Sequence, residues 1–347
     1  MAIALDATYS VGRSLSGVGV YSRQILAGVA RAHPEHRFHF YYRPHRYLRS
    51  FRPGSLPRNA SRRLLRGRPT AELWHALNQR VDDAVNQGAG PTVATFHDLF
   101  VLTGDYSSPE FRARFSEQAR DAAAKSDLII AVSEFTAHQV EALLKVERSR
   151  IRVVHHGVDL PDVDLPAEGR EPLVLFVGAI QRRKNVARLV RAFERLPEEW
   201  KLVLAGSAEG FGAGEELRAV EVSSRKASIE VRGYVTATEL AALYTRASIF
   251  AFPSLDEGFG MPVLEAMAWG VPVLTSTSSA LPEVAGGAAL LVDPENEEEL
   301  GTELARLAGD ESLRAALSIQ GRARAEAMPW CLAVERTWSV YQELGIS

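Results

Sequence analysis

Two glutamates, Glu257 and Glu265, are separated by seven residues within the stretch SLDEGFGMPVLEAMAWGVP, residues 254–272. The residues between them include two glycines and a proline, and an apolar helical pattern begins before the second glutamate. A helix beginning here would present backbone N–H groups at its N-terminus, where the helix dipole also favours an anion. The groups near that end belong to Gly258, Phe259, Gly260 and Met261. The stretch therefore predicts an anion site beside two carboxylates.

Both carboxylates would repel a bound anion, so we expect them to face hydroxyl groups, for which carboxylates are strong acceptors. Glu257 on the loop would accept hydrogen bonds from a hexose, and Glu265 in the helix would bind the diol of a ribose. The two glycines would let the ligand approach the backbone closely. Together these features indicate a nucleoside diphosphate sugar; the alternative is a capping loop with two surface glutamates.

The framework that positions these residues is predicted from strands and helices that alternate in both halves of the chain. The glutamate loop follows an apolar strand at 249–252, and a helix is expected over 262–269. The sequence TATE, residues 236–239, is typical of a capping box that starts another helix. Parallel sheets of this kind bind ligands beyond the carboxyl ends of their strands. The predicted fold class is α/β, with two facing, doubly wound Rossmann-like domains and a cleft between them.

The overall composition is that of an ordinary globular protein, and it excludes several classes of site. The 347 residues exceed the size of a typical single core, which predicts two domains. The formal charge of -3 gives no general reason to expect nucleic acid. Cys331 is the only cysteine, which excludes an intramolecular disulfide and a cysteine-rich metal site. With neither a signal peptide nor an apolar run long enough to span a bilayer, we expect a cytoplasmic protein.

The run GFGMPVLEAMAWGVPV, residues 258–273, resembles the E-x7-E region of the retaining glycosyltransferases of the group 1 family, family 4 in sequence-based schemes. The resemblance covers most of the chain and is strongest over residues 172–294. It implies the B-type glycosyltransferase fold, with the nucleotide sugar bound mainly by the second domain. It also implies that Glu257 lies beside the donor sugar and that Glu265 binds the ribose.

A basic pair in VGAIQRRKN, Arg183 and Lys184, matches the pair that holds the donor diphosphate in that family. Fixed cations at this place would also stabilise the charge that develops on a departing diphosphate. The alternative is a solvated helix start, which is unfavourable because cations at a helix N-terminus oppose the dipole. In the same family the RGYV segment lines the base pocket, which implies donor contacts from Tyr234 and Val235. Glu283 in LPEVAGG also fits a family pattern, without a specific chemistry.

The first half contains two further segments that resemble the family. SLSGVGVYSRQ resembles its glycine-rich loop, which implies that Gly17 and Gly19 approach the donor phosphate or sugar; a tight strand–helix turn is the alternative. Ser22 stands where the third glycine of a GxGxxG motif would fall. The pair His97–Asp98 in TFHDLF resembles one near the donor sugar and acceptor, so His97 would hydrogen-bond a hydroxyl group unless it is purely structural.

The predicted domain boundaries follow from a proline- and glycine-rich acidic segment in the middle of the chain. Residues 1–157 form the N-terminal, acceptor-side domain, residues 158–171 the linker, and residues 172–328 the domain that binds the nucleotide sugar. Family members often return their last helix to the first domain. This resemblance predicts that residues 329–347 form a helix that packs back on the N-terminal domain.

Nine arginines and no acidic residue lie within residues 41–69, interleaved with aromatic side chains. Three explanations compete: a solvated loop that reflects a GC-rich genome, an anionic membrane surface met by Arg43–Arg68, or a nucleic acid. We rank the membrane above nucleic acid, because bacterial relatives commonly extend lipid-linked sugars and a polyprenyl diphosphate combines an anion with a lipid. Such binding would place the protein at the inner face of the cytoplasmic membrane.

The sequence thus predicts a retaining glycosyltransferase that moves a hexose, with mannose from GDP-mannose as the first choice, to a glycan or lipid-linked glycan. Catalytic roles fall to Glu257, Arg183, Lys184 and His97. The Asp-x-Asp run at residues 162–164 lies in the linker, so no metal and no cofactor are expected. The alternatives are a UDP-sugar-dependent transferase, a nucleotide-sugar epimerase, and a non-catalytic nucleotide-sugar or RNA-binding protein.

Overall fold

The computed structural model describes residues 2–12, 15–51, 56–66, 69–81, 90–163 and 169–347. The chain divides into two compact units. The first contains Met1–Thr103, Pro109–Gly157 and Met328–Ser347, and the second contains Gly104–Ser108 and Val158–Ala327. The described part of the predicted linker belongs to the second unit, and residues 164–168 lie outside the described residues.

The first unit is built on a parallel sheet, as the alternating pattern predicts. Its strands are β1 (Ile3–Asp6), β2 (Phe38–Tyr42), β3 (Ala60–Leu64), β4 (Leu73–Ala76), β5 (Thr92–Phe96), β6 (Leu128–Ala131) and β7 (Ile151–Val153). Within the described residues they pair in the order β3-β2-β1-β4-β5-β6-β7, and these pairings are parallel. The central strands β1, β4 and β5 are buried along their whole length, which is typical of parallel sheets.

The described helices of the first unit include two that are capped by a serine side chain. The helices are α1 (Gly17–Ala32), α2 (Pro44–Tyr47), α3 (Phe100–Thr103), α4 (Pro109–Lys125), α5 (Glu134–Leu144) and α13 (Trp330–Glu343). α1 begins at Gly17 because the Ser16 hydroxyl caps it, accepting a hydrogen bond from the Gly19 amide at 3.4 Å. Ser133 caps α5 in the same way, through the Thr136 amide at 3.0 Å.

The last helix, α13, packs on α1 within the first unit. Trp338 stacks on His33 with 3.5 Å between the ring centroids. The Tyr341 hydroxyl hydrogen-bonds His75 Nδ1 at 2.6 Å. Because aromatic side chains contribute large apolar areas to a core, α13 is an integral part of the first unit.

The arginine-rich segment is regularly folded in much of its described part. Its strand β3 lies at the edge of the sheet, where charged side chains protect backbone groups from pairing with other chains. Three of its arginines bond within the chain: Arg43 to Asp6 at 3.4 Å, Arg46 to the Val11 carbonyl at 3.0 Å, and Arg62 to the Ser50 carbonyl at 2.8 Å. The exposed arginines are Arg49, Arg58, Arg63 and Arg66. Residues 52–55 and 67–68 of the segment lie outside the described residues.

The second unit repeats the topology of the first. Its strands are β8 (Glu171–Val177), β9 (Lys201–Ala205), β10 (Ile229–Gly233), β11 (Ala247–Phe252), β12 (Val273–Ser276) and β13 (Leu290–Val292). They pair in parallel, in the order β10-β9-β8-β11-β12-β13. In both units, therefore, the first strand pairs with the second on one side and with the fourth on the other.

The helices of the second unit follow its strands, as the sequence predicts. They are α6 (Val186–Phe193), α7 (Ala213–Val222), α8 (Ala237–Arg246), α9 (Met261–Ala268), α10 (Leu281–Ala285), α11 (Glu297–Gly309) and α12 (Glu311–Glu326). The capping box predicted at the start of α8 is confirmed. The Thr236 amide donates to Glu239 Oε2 at 2.7 Å, and the Glu239 amide donates to Thr236 Oγ1 at 3.3 Å.

Candidate active site

Arg183, Lys184 and Glu257 meet at the carboxyl end of the second sheet. The cations lie in the 3₁₀ turn Arg182–Lys184 after β8, and the glutamate lies in the loop after β11. Because β8 and β11 are parallel neighbours, the loops that follow them reach the same edge of the sheet. Arg183 Nη1 lies 2.9 Å from Glu257 Oε2, and Lys184 Nζ pairs with Glu257 Oε1. The structure thus joins three of the predicted site residues in one ion-paired cluster.

This cluster is both buried and charged. The side chains of Arg183, Lys184 and Glu257 are 11%, 7% and 9% exposed. Burial by itself would raise the pKa of Glu257, but the charges of the two cations and their hydrogen bonds outweigh burial and lower this pKa to about 2. Lys184 Nζ also lies 4.5 Å from the centre of the Phe252 ring, a cation–π contact. Glu257 is therefore ionised at neutral pH and offsets part of the positive charge of the pair.

Side chains from neighbouring loops hold the backbone around the cluster. Asn185 adopts the left-handed conformation, with φ +60°, and its amide donates to the carbonyls of Pro253 and Pro294 at 3.0 and 2.7 Å. The Glu257 amide donates to Ser279 Oγ at 2.9 Å. These bonds tie the turn after β8 to the loop after β11, so the charged side chains project from a fixed frame.

The helix that follows the glutamate loop, α9, begins at Met261, and Pro262 is its second residue. Gly260 precedes it with φ +102°, and a Cβ at this position would lie 2.6 Å from Leu281 Cδ2. Glycine suits both the left-handed backbone and the close contact. Gly258 and Phe259 are buried in the loop that leads into the helix. The predicted anion site at this helix N-terminus thus follows directly on the loop that carries Glu257.

Glu265 lies within α9 and has a different partner from Glu257. The Tyr244 hydroxyl of α8 donates to Glu265 Oε2 at 3.1 Å. Burial raises the pKa of Glu265, although the hydrogen bond from Tyr244 lowers it. Tyr244 is itself buried beside Trp269 and Phe250, with ring centroids 6.2 and 6.1 Å away. A carboxylate has about four lone-pair sites, so one tyrosine leaves room for the diol predicted to bind here.

The segment predicted to line the base pocket follows β10, which β9 and β8 separate from β11. Tyr234 is 61% exposed and Val235 is partly buried. Gly233, with φ +62°, accepts a hydrogen bond from the Gly206 amide at 2.7 Å. Glu283 lies in α10. The structure therefore places Tyr234 and Val235 on a separate loop of the second unit.

In the first unit, His97 lies directly after β5 and is enclosed by aromatic side chains. Its Nε2 hydrogen-bonds the Leu77 carbonyl at 3.0 Å. Its ring meets Tyr21 edge-on at 4.8 Å and lies 5.4 Å from the ring of His156. Burial lowers the pKa of His97 to about 4, despite the bond to the Leu77 carbonyl, so the imidazole is neutral at pH 7. Nδ1 is buried without a hydrogen-bond partner among the described residues, which is compatible with the predicted contact to a hydroxyl group.

A chain of hydrogen bonds crosses the core beside this histidine. His75 Nδ1 bonds the Tyr341 hydroxyl at 2.6 Å, and His75 Nε2 bonds Thr95 Oγ1 at 2.8 Å. The Tyr21 hydroxyl joins Thr95 Oγ1 at 2.9 Å. Burial lowers the pKa of His75 to about 3 and raises the pKa of Tyr21. The polar groups of this network are therefore neutral.

Gly17 and Gly19, predicted on a loop, lie in the first turn of α1. Gly17 is exposed, whereas Gly19 is buried. A Cβ at position 19 would lie 2.9 Å from the Tyr9 carbonyl oxygen, so this glycine permits a close backbone approach. The difference from the predicted loop arises because Ser16 caps the helix earlier than the apolar pattern indicates.

Comparison with known proteins identifies the family. The model of the family "Glycosyl transferases group 1" matches residues 162–324, and that of "Glycosyltransferase Family 4" matches residues 15–161. O-antigen chain mannosyltransferase B of Escherichia coli is 30% identical over 267 residues, which cover 73% of this chain and 70% of that protein. The chain belongs to the group 1 glycosyltransferases.

This group 1 glycosyltransferase has further relatives that match over less of their length. Serotype-specific mannosyltransferase WbdA of Escherichia coli is 28% identical over 268 residues, or 70% of this chain and 33% of that protein. D-inositol 3-phosphate glycosyltransferase of Mycobacterium sp. (strain KMS) is 33% identical over 220 residues, or 57% of this chain and 49% of that protein. The matched region thus spans about a third of WbdA and about half of the mycobacterial enzyme.

Solved structures of glycosyltransferases share the fold along the whole chain. Sucrose-phosphate synthase from Thermosynechococcus elongatus has a TM-score of 0.78 at 22% identity and covers 99% of each chain. WaaG, a glycosyltransferase involved in lipopolysaccharide biosynthesis, has a TM-score of 0.67 at 16% identity, covering 98% of this chain and 99% of that one. The predicted B-type glycosyltransferase fold is therefore confirmed.

Sequence reasoning missed one segment of this glycosyltransferase. Gly104–Ser108 comes between two helices of the first unit in sequence but belongs to the second unit. Arg182 Nη1 pairs with Asp105 Oδ2 at 3.0 Å. Burial and the charge of Asp256 raise the pKa of Tyr106, so this tyrosine lies within electrostatic reach of the glutamate loop. The segment carries no motif that indicates this position. Its place in the second unit depends on contacts between residues far apart in the chain, which a local sequence pattern does not reveal.

The part of the chain that the structure describes lacks two kinds of feature. No group of three or more His, Cys, Asp or Glu side chains there is arranged to hold a metal ion. No helix among these residues has the length and apolar character needed to cross a bilayer.

Proposed function

We propose that this group 1 glycosyltransferase transfers mannose from GDP-mannose to a glycan or a lipid-linked glycan, with retention of configuration and without a metal ion. The observation that carries the proposal is the buried cluster of Arg183, Lys184 and Glu257 at the end of the second sheet. Mannose is supported by the similarity to an O-antigen chain mannosyltransferase at 30% identity. Retention is supported by membership of the group 1 family.

Each predicted site residue of the second unit has a role in this proposal. Arg183 and Lys184 bind the diphosphate, together with the N-terminus of α9. Glu257 binds the hexose, and Glu265 binds the ribose. The backbone contacts fall to Gly258, Phe259, Gly260 and Met261, and the base contacts to Tyr234 and Val235. In the first unit, donor contacts of Gly17, Gly19 and His97 stay predictions.

In the proposed reaction, the bond between the anomeric carbon and the diphosphate oxygen breaks, and its electron pair leaves with the diphosphate. The two fixed cations stabilise the charge that develops there. The acceptor hydroxyl attacks from the face on which the diphosphate departs, and its proton passes to a diphosphate oxygen. The transition state resembles an oxocarbenium ion, and the ionised Glu257 stabilises its positive charge.

A panel of nucleotide sugars tests this proposal. GDP-mannose, UDP-glucose, UDP-N-acetylglucosamine, UDP-galactose and dTDP-rhamnose are compared by thermal shift and donor hydrolysis, with EDTA present throughout. GDP-mannose should stabilise the wild type and fail to stabilise Glu265→Ala. A response to a UDP-sugar alone would contradict GDP-mannose as the donor and identify that UDP-sugar in its place. Hydrolysis that requires added Mn²⁺ would contradict metal independence. The absence of both a thermal shift and hydrolysis with all of the nucleotide sugars would favour the non-catalytic alternative.

We also propose that the arginine-rich segment Arg43–Arg68 meets an anionic membrane surface, with the enzyme at the inner face of the cytoplasmic membrane. Charge complementarity supports membrane binding, because a cluster of arginines attracts anionic lipids. Arg43, Arg46 and Arg62 are unsuited to a test, since their bonds within the chain contribute to the fold.

The exposed arginines offer a cleaner test of membrane binding. Joint replacement of Arg49, Arg58, Arg63 and Arg66 by serine should abolish sedimentation with vesicles of anionic phospholipid. Lysine at the same four positions keeps the charge and should preserve sedimentation. Undiminished sedimentation of the serine variant would contradict the proposal, and salt-sensitive RNA binding without vesicle binding would favour the nucleic-acid alternative.

A further inference from the structure

Glu257 occupies the two cations that the proposed function assigns to the donor diphosphate. Its oxygens face different partners, because Oε2 lies 2.9 Å from Arg183 Nη1 and Oε1 pairs with Lys184 Nζ. The three side chains are at most 11% exposed, so little water screens their interaction. A carboxylate of the protein and a diphosphate of the ligand therefore compete for the same buried charges.

The competition is local, since the backbone around it is fixed. The Glu257 amide donates to Ser279 Oγ at 2.9 Å, and the Glu257 carbonyl accepts from the Ala280 amide at 3.2 Å. Arg183 is tied to the same loop, because its Nη1 also donates to the Asp256 carbonyl at 2.7 Å. What can change with little cost is the side-chain torsion of Glu257, and with it the set of partners that its carboxylate accepts from.

We propose that Glu257 is an internal competitor of the donor diphosphate and that the hexose of the donor relieves this competition. The inference rests on the proposed function. Hexose hydroxyls that donate to the Glu257 carboxylate draw its lone pairs away from Arg183 and Lys184. More of the cationic charge then acts on the diphosphate that is attached to the same hexose. A nucleoside diphosphate without a sugar gains no such effect, so the site distinguishes the donor from the bare nucleotide.

The same competition favours release of the product. After transfer, the hexose no longer occupies Glu257, and the carboxylate returns to Arg183 and Lys184 while the nucleoside diphosphate is still bound. Product release limits the turnover of many enzymes. An internal carboxylate lowers the affinity for the product without lowering the affinity for the donor to the same degree.

Glu257→Gln tests the proposal, because glutamine keeps the size of the side chain and removes its charge. Inorganic diphosphate is the first probe, since its binding needs neither base nor sugar. In isothermal titration calorimetry the variant should bind inorganic diphosphate and GDP roughly tenfold more tightly than the wild type, as expected when a charged competitor for a hydrogen bond is lost. Its preference for GDP-mannose over GDP should shrink, and its inhibition by GDP should increase. Unchanged or weaker binding of inorganic diphosphate overturns the proposal.

Glu265→Gln is the matched control, because it removes the other carboxylate of the same loop and helix. This variant should weaken GDP and GDP-mannose to a similar degree and leave inorganic diphosphate unchanged. A gain of inorganic diphosphate binding in this control as large as the gain in Glu257→Gln would attribute the effect to general charge and overturn the proposal.

Glu257→Asp is a second variant in case the glutamine variant fails to fold. Aspartate keeps the charge but is shorter by one methylene, which withdraws the carboxylate from the cations. It should bind inorganic diphosphate more tightly than the wild type and less tightly than Glu257→Gln. Tighter binding of inorganic diphosphate together with no binding of any nucleotide sugar would support the competition and overturn both the sugar-dependent step and the proposed function.

Discussion

The two units share one sheet topology, and each contains a buried polar cluster, which is charged at Glu257 in the second unit and neutral around His75 and His97 in the first. In the second unit, Arg183, Lys184 and Glu257 are ions, and Glu257 offsets part of the charge of the two cations. In the first unit, burial lowers the pKa of His75 and of His97 to about 3 and about 4, so both are neutral. Burial opposes charge in either place, and only a partner of opposite charge overcomes it. The comparison shows that partners, rather than depth in the fold, decide which buried groups stay ionised.

This difference bears on what each unit is able to do. A fixed cation acts on a diphosphate, whereas a neutral imidazole or hydroxyl can only exchange hydrogen bonds with a ligand. The proposed function accordingly assigns the charged part of the chemistry to the second unit.

The largest effect is expected from Lys184→Met, which removes one cation and keeps a side chain of similar length. The rate at saturating donor should fall roughly 100- to 1000-fold, as when one preorganised stabiliser of transition-state charge is lost. Lys201→Met is the control, since Lys201 is exposed at the start of β9, and it should stay within about twofold of the wild type. Initial rates together with thermal midpoints check this, and a similar rate loss in both variants would contradict it.

Acid should weaken the first unit before the second. The unfolded chain binds protons on His75 and His97 near pH 6.5, while the folded chain does so only near pH 3 and 4. Stability is therefore full above about pH 6.5 and falls as the pH decreases, by about 2 kcal/mol for each histidine at pH 5. Urea unfolding at pH 7 and pH 5, with hydrogen exchange corrected for intrinsic rates, measures the loss.

The charged cluster should respond in a lower range of pH. Glu257 has a folded pKa of about 2, below its ordinary value, so its contribution is present above about pH 4.3 and is lost as the pH falls toward 2. Peptides around residues 253–260 should thus keep their protection from exchange at pH 5 better than peptides around β4 and β5. A greater loss of protection from exchange around residues 253–260 than around β4 and β5 at pH 5 would contradict this prediction.

A smaller effect is expected from Tyr244→Phe, which removes the hydrogen bond to Glu265. The KM for the donor should rise about three- to tenfold with little change in kcat, because the proposed ribose-binding carboxylate loses an orienting partner. Tyr341→Phe makes the corresponding change in the neutral network, and it should lower stability by about 1 kcal/mol without altering the donor KM. Equal changes in the donor KM for the two variants would contradict a role in donor binding that is specific to Tyr244 and Glu265.

The smallest effect is expected from Asp105→Ala. Its pair with Arg182 joins side chains that are 77% and 36% exposed, respectively, and exposed pairs contribute about 0.2–1 kcal/mol. The thermal midpoint and kcat/KM should change slightly at low salt and still less at high salt. A loss of activity greater than tenfold would mean that the pair matters more than its exposure indicates.

Much of the fold is predictable because its signals are local. The capping box Thr236–Glu239 needs only four adjacent residues, and the strand at 249–252 is a continuous apolar run. Strand β3 gives no such signal, because it is an edge strand whose residues ASRRL are only partly buried or exposed and show no apolar alternation. The start of α1 at Gly17 is missed because the Ser16 cap precedes the first apolar turn.

The candidate site is predictable in its residue types and less so in its pairings. Charge and spacing single out Arg183, Lys184 and Glu257, but their mutual ion pairs depend on the adjacency of β8 and β11. The bond between His75 and Tyr341 joins residues far apart in the chain, and neither lies in a recognisable motif. Partners of this kind become known only from the tertiary structure.

The position of α13 has a consequence for synthesis on the ribosome. Residues 158–327, which form nearly all of the second unit, are translated before α13. Until then the nascent first unit lacks Trp338 and Tyr341, the partners of His33 and His75. The half of the enzyme that is translated first is thus the one that finishes folding last. The apolar surface of α1 stays open to chaperones throughout that interval, and a premature stop codon before α13 would leave it uncovered permanently.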